Sequence, residues 1–363
     1  MSVSCGIVGL PNVGKSTIFS ALSSAKADVG NFPFCTIEPN VAVVEVPDER
    51  LEIIHGFVKT QRVLPAVVKI VDIAGLVAGA SEGEGMGNKF LGNIKECDAI
   101  MQVVRCFGGD KILREGAIDP LGDIEVVELE LALADLETLR RAADRVIKKS
   151  RAGDKDALFE TEVFSKAIEM LDAGRQLREF DWNDRQRQVL RPLFLMSMKP
   201  VLYVANVADD DLEGTNDWCQ LVAAHAAKQG AQWVPICGDL ELELRSMDLE
   251  DRAMFMEELG VQQLGLERLI RTVYSLLGLQ TYFTAGEKEV RAWTVHAGDA
   301  APVAAGVIHT DFEKSFIRAE VYSVADLQEH QSEAAIRAAG KLRTEGREYK
   351  MRDGDIAHFL LGK

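Results

Sequence analysis

An α/β fold is what this sequence predicts: a mainly parallel sheet, interrupted by an antiparallel helical hairpin and followed by a smaller β-rich unit. Three observations carry the expectation. Gly9-Leu10-Pro11-Asn12-Val13-Gly14-Lys15-Ser16-Thr17 fits G-x-x-x-x-G-K-[ST], and stands between an apolar Val3–Val8 run and a helical pattern, as a phosphate-binding P-loop requires. Asp72-Ile73-Ala74-Gly75 closes the β-branched run Ala66–Val71, which puts a D-x-x-G at a strand end behind that loop. Apolar residues then recur in steps of three and four from Val126 to Ile147, a coiled-coil spacing.

Each element follows from its residues. Gly9 and Gly14 let the backbone curl so that successive N–H groups face an anion, and the helix opening there adds its positive dipole end. Lys15 can reach the β- and γ-phosphates, and the Ser16 hydroxyl, with Thr17 beside it, stands where magnesium bridges them. Between Gly30 and Pro39 two prolines and a glycine forbid regular structure. Thr36 within it is the candidate hydroxyl that closes on magnesium and the γ-phosphate. Cys35 reads as a small apolar filler, with a redox role the other option. Ala42–Val46 is a further strand. Asp72 can hold magnesium, and the Gly75 amide can sense the γ-phosphate. Leu76 follows, where Ras-like enzymes carry a water-orienting glutamine. Turnover is then slow unless a partner acts, or unless Asn12 helps bind a potassium ion near the phosphates. The four glycines between Gly79 and Gly87 make a second switch.

Phe90–Cys97 reads as a helix and Ile100–Cys106 as a buried strand, with a loop from Gly108 to about Gly122. The hairpin is expected over 123–180. Its first-helix seam is Val126, Leu129, Leu133, Leu136, Leu139 or Arg140, Ala143 and Ile147, and Arg151-Ala152-Gly153-Asp154 makes the turn. A connecting helix reaches about 198. Val201–Ala205 is again a strand, ending at Asn206-Val207-Ala208-Asp209, the position of a base-reading N-K-x-D with valine in place of lysine. A last strand runs into Ile236-Cys237-Gly238, whose loop is expected to close over the base. The expected domains are 1–122 with 199–277 for nucleotide binding, 123–198 for the helical insertion, and 278–363 for a C-terminal unit.

The formal net charge of −16 argues against wholesale coating of nucleic acid or anionic membrane. No apolar run reaches 18 residues, and Met1-Ser2-Val3-Ser4 does not read as a signal peptide. Six cysteines without a C-x-x-C pair suit reduced thiols in a cytoplasm. Over 337–352 six basic residues face two acidic ones. With Tyr349 among them they can sit on RNA phosphates or simply form a solvated surface.

Taken with Gln280-Thr281-Tyr282-Phe283-Thr284-Ala285-Gly286 and His309-Thr310-Asp311-Phe312-Glu313-Lys314, these motifs resemble the Obg family of TRAFAC-class P-loop proteins, and most closely its YchF branch, the Obg-like ATPases. The resemblance spans essentially the whole chain. It implies a C-terminal TGS domain of β-grasp-like fold and a cytoplasmic, magnesium-dependent nucleotidase. It also implies association with the ribosome and its RNA through the TGS domain and helical insertion, with no membrane or DNA partner. It implies ATP preferred over GTP, with Asn206, Val207, Asp209 and Cys237 at the base and Asn12 to Thr17 at the phosphates. The chain departs from the branch in two ways. Asp209 stands where N-x-x-E is common, and Asp is what guanine recognition uses. No histidine lies between 56 and 224, so the histidine considered for water positioning in that branch has no counterpart; Arg114 lies in that loop. Three alternatives stay open: a GTP-preferring relative, a nucleotide-switched RNA-binding factor with incidental hydrolysis, and a small-molecule phosphotransferase. The D-x-x-G and Thr36 argue against the last.

Overall fold

The structure is a computed structural model that describes residues 3–24, 40–73, 86–108, 118–261 and 263–362. The expectations for Cys35, Thr36, Gly75, Leu76, Gly79–Gly85 and Arg114 lie outside these residues. The chain packs as two units, one of 1–25, 38–42 and 69–269, the other of 26–37, 43–68 and 270–363.

In order, the first half holds β1 Ser4–Val8, α1 Lys15–Ser24, β2 Val41–Glu45, α2 Arg50–Phe57, β3 Val63–Leu64, β4 Val67–Asp72, α3 Met86–Glu96 and β5 Ala99–Arg105. The hairpin region adds α4 Pro120–Arg151, α5 Lys155–Asp172 and α6 Asp184–Leu190. Then come β6 Val201–Asn206, α7 Asp217–Lys228, β7 Gln232–Ile236, α8 Gly238–Ser246, α9 Leu249–Glu258 and α10 Gly265–Leu276. The first unit's sheet has the order β2-β4-β1-β5-β6-β7. The pairs β4–β1, β1–β5, β5–β6 and β6–β7 are all parallel. Strands β5 and β6 are buried along their whole length, as expected for central strands covered on both faces.

The hairpin differs in detail from its apolar spacing. Helix α4 starts at Pro120, three residues early, because Asp119 accepts from the Gly122 N–H and proline suits the first helical position. Its buried stripe is Ile124, Val127, Leu131, Leu136, Leu139 and Ala142, while Leu129 and Leu133 of the expected seam are 57% and 41% exposed. The stripe rotates because α4 buries four acids that a purely apolar reading passes over, Asp123, Glu128, Glu130 and Asp135. Asp135 is fully buried and accepts from Met196 N (3.0 Å), Ser197 N (2.7 Å) and Ser197 Oγ (2.6 Å). The turn is as expected: Gly153 takes φ 83° and Asp154 caps α5. The connecting helix is not one helix. It is α6 with 3-10 turns at 177–179, 191–193 and 196–198, broken at Pro192 and by Phe194 in the left-handed region, φ 49°.

A buried polar network ties this region to the sheet. The Tyr203 hydroxyl of β6 donates to Glu128 Oε1 at 2.6 Å, and Arg178 pairs with the same carboxylate. Gln229 donates to it at 3.1 Å, and His225 Nε2 lies 3.8 Å away. Burial pulls the Glu128 pKa upward, but His225, the Arg178 charge, Tyr203 and Gln229 together outweigh it and hold the carboxyl at about 2.

The second unit contains β8 Leu279–Ala285, β9 Val290–His296, α11 Ala301–Ile308, α12 Thr310–Ser315, β10 Phe316–Ser323, α13 Val324–His330, α14 Glu333–Ala338, β11 Arg343–Glu345 and β12 Asp355–Leu361. Its sheet order is β11-β10-β12-β8-β9-β3. The β8–β9 hairpin is antiparallel and β12 lies parallel to β8, which is the β-grasp arrangement. The edge strand β3 comes from 43–68, far back in sequence, and α2 of that segment is held by Arg50, which pairs with Asp48 and Asp353. A cavity of about 390 Å³ beside them is lined by Arg271, Tyr274 and Thr281 among others.

Because the Glu128 pKa is lower in the folded chain than its ordinary 4.5, its contribution to stability is complete above the ordinary value and disappears as pH falls through the folded one. Urea unfolding of the wild type should therefore lose about 3 kcal/mol more between pH 5 and pH 2 than Glu128→Gln does. Parallel pH profiles for the two proteins would refute the assignment.

Candidate nucleotide site

The candidate residues converge on the C-terminal rim of the parallel sheet, where open α/β sheets bind their ligands. Strand β1 delivers the chain into the P-loop, and α1 begins at Lys15 with Ile18 N donating to Gly14 O at 3.1 Å. Gly14 has φ 91° and Asn12 φ 63°, the left-handed conformations that turn successive amides to one side. A Cβ on Gly9 would lie 2.8 Å from Val103 O, and one on Gly14 would lie 1.9 Å from Asn206 Nδ2. Glycine at 14 is therefore required twice, for its dihedral and for the approach of Asn206.

Asn206 ends β6 and is 5% exposed. Its Nδ2 donates to Val13 O at 2.9 Å, and its Oδ1 accepts from Gly238 N at 3.1 Å. One side chain thus joins the P-loop to the first turn of α8. Asn206 thereby braces the P-loop, and the only sequence signal for the Gly238 half of the brace is a glycine two residues past the end of β7.

Lys15 and Asp72 meet: Nζ donates to Oδ1 in a half-buried ion pair. Asp72 is the last residue of β4, held by its N–H to Asn40 O at 2.7 Å. Ser16 is exposed on the first turn of α1 and Thr17 is half-buried.

At the base end two of the expected residues are buried. Val207 is 3% exposed, packs in the core, and gives its N–H to Ile236 O at 2.9 Å. With its N–H taken, its carbonyl is the backbone group left for a base. Cys237 is also buried, and it is the single residue between β7 and α8. Burial pushes the Cys237 thiol pKa up, with Asp239 and Asp209 adding to the rise. Asp209 itself is exposed, in a turn.

Parallel sheet, P-loop, strand-end aspartate and bracing asparagine together define a P-loop nucleotide-binding protein. Comparison with known proteins agrees. A family model described as a 50S ribosome-binding GTPase matches residues 4–141, and the YchF GTPase C-terminal model, described as a protein of unknown function, matches 279–361. The chain is 51% identical over 361 residues to the ribosome-binding ATPase YchF of Escherichia coli O157:H7, covering 99% of each. It is 43% identical over 365 residues to Obg-like ATPase 1 of Gallus gallus, covering 99% of this chain and 92% of that one. It also superposes on the solved YchF GTPase of Schizosaccharomyces pombe with a TM-score of 0.89 at 37% identity, over 99% and 98% of the two chains. The chain belongs to the YchF family of Obg-like ATPases.

Gly14→Ala forces Asn206 off Val13 and strains the backbone, so chemical unfolding should show a loss of about 1–3 kcal/mol. Wild-type stability in that variant would mean the Gly14–Asn206 approach is not a constraint.

Proposed function

We propose that the chain is a magnesium-dependent nucleotide hydrolase, preferring ATP to GTP, that acts in the cytoplasm as a ribosome-associated switch. The observation that carries this is the Lys15–Asp72 pair at the sheet rim beside a P-loop held by Asn206. Family membership and the printed names of the relatives, ribosome-binding ATPases and an Obg-like ATPase, support it.

The chemistry follows from the residues. The P-loop amides from Asn12 to Thr17 receive the phosphates. Lys15 leaves Asp72 for the β- and γ-phosphate oxygens. Among the described residues no three of His, Cys, Asp and Glu stand together as a metal cage. That suits magnesium, which takes one or two protein oxygens and completes its shell with phosphates and water. Ser16 and Asp72 supply hard oxygens of this kind, with Thr36 as the third proposed ligand. Magnesium when bound neutralises charge on the β- and γ-oxygens. The Gly75 amide senses the γ-phosphate. Water attacks the γ-phosphorus and the bridging oxygen departs on the nucleoside diphosphate. With Leu76 in the glutamine position, no side chain there orients the water, so basal turnover is slow. Asn12 is the proposed contributor to a potassium site that offsets this.

At the base, Asn206 meets the purine edge common to adenine and guanine. Asp209 is exposed where it stands, open to solvent rather than committed to a guanine donor pair, and the buried Val207 leaves no lysine-like lid. Both favour ATP over GTP. We assign nucleotide binding to 1–122 and 199–277, and ribosome contact to the 123–198 insertion and the 278–363 TGS domain. Within 337–352, Arg337 and Arg343 are paired with carboxylates and Arg347 donates to Phe316 O. Lys341, Lys350 and Arg352 are the exposed cations left for RNA phosphates. Among the described residues no helix is long and apolar enough to cross a membrane.

Lys15→Ala should abolish hydrolysis and strongly weaken nucleotide binding; unchanged turnover in a phosphate-release assay would sink the assignment. In competition binding ATP should outcompete GTP. A tenfold preference for GTP would instead show that Asp209 clamps guanine.

A further inference from the structure

Arg105 ends β5 and is 5% exposed. A guanidinium has five N–H donors. Here Nε donates to Phe107 O at 3.0 Å, and the group lies over the Phe107 ring, 5.0 Å from its centroid. Among the described residues no carboxylate pairs with it. Two other deeply buried charges of this unit are matched within the chain: Glu128 has Arg178, and Asp135 has three donors. A buried cation without an anion is costly, and tolerating it is reasonable where a ligand brings the anion.

Its position says which ligand. Arg105 stands in register with Asn206 across the β5–β6 pair, and register partners in a parallel pair share a face of the sheet. On that face Asn206 holds the P-loop through Val13 O. Val103, two residues earlier and so on the same face, lies against Gly9 at the start of the loop. The Arg105 side chain reaches past the strand end toward Phe107, the rim where the phosphates bind.

We propose that Arg105 binds the phosphate chain of the bound nucleotide, its planar fork supplying a second cation from the β5 side while Lys15 approaches from α1. A guanidinium fork suits phosphate oxygens, which accept two parallel hydrogen bonds from it. This inference rests on the nucleotide-binding reading above and adds a residue that lies outside every motif of that reading.

The test uses the full chain with Arg105→Met and Arg105→Lys. ATP, ADP and adenosine compete for a fluorescent ATP analogue. Arg105→Met should bind ATP and ADP at least tenfold more weakly and adenosine as before. Arg105→Lys, which keeps the charge but not the fork, should show an intermediate loss for the phosphorylated ligands only. Unchanged ATP affinity in both variants overturns the proposal. So does an equal loss for adenosine, which would mean that Arg105 acts through the base end. A wild-type chain that fails to bind ATP at all would overturn the nucleotide-binding reading itself.

Discussion

The amide of Asn206 is the interaction on which the candidate site depends. It spans 193 positions of sequence to reach Val13 O and accepts from Gly238 N on its other side. Through it the end of β6, the P-loop and the first turn of α8 become one body. An asparagine can do this because it carries both donor and acceptor on one planar group. The demand passes outward. Gly14 must lack a side chain, β6 must be central and fully buried, and α8 must start with only Cys237 between it and β7. Each of these holds. A preorganised loop spends little of its binding energy on ordering itself, which is what a tight phosphate site requires.

The helical hairpin is attached by charge as well as by apolar packing. Glu128 and Asp135 both lie in its buried stripe, and both are saturated by donors from outside α4. Such arrangements contribute little net stability compared with apolar residues of similar volume, but removing one partner is costly. Their effect is to fix orientation: Glu128 must face Tyr203, and Asp135 must face the turn at Met196 and Ser197. Helix α4 therefore has one rotational setting against the sheet. That setting leaves Leu129 and Leu133 outward. Tyr203 lies three residues before Asn206 on the same strand, so the hairpin is anchored to the strand that braces the P-loop.

The second unit depends on non-local pairing. Its β8–β9 and β10–β12 ladders are antiparallel, while the parallel β8–β12 pair joins the first and last strands of the domain. Its edge strand β3 comes from residues some two hundred positions upstream of its partner β9. Closure cost grows only slowly with separation, and the Arg50–Asp353 ion pair is a second link between the 43–68 segment and the C-terminal sheet.

The motifs that carry chemistry were legible in the sequence because each is local. A P-loop needs a strand, two glycines, a lysine and a helix within about 20 residues, and residues 3–24 supply them. The strand-end aspartate and the β6 asparagine were legible for the same reason, as was the Gly153–Asp154 turn, whose dihedral and cap are set by adjacent residues. Tertiary structure decided what depends on distant partners. Whether Glu128 and Asp135 face inward is settled by Tyr203, Arg178 and Ser197, so apolar periodicity alone rotated the seam toward Leu129. Burial of Val207 depends on the packing around β6, and its amide is taken by Ile236 of β7; a base motif read by residue type could not show this. The joining of 43–68 to the C-terminal sheet left no local mark, because Val63 and Leu64 are too short a run to announce a strand. Local backbone chemistry wrote the site into the sequence. The face that α4 buries was chosen by which buried charges could find partners.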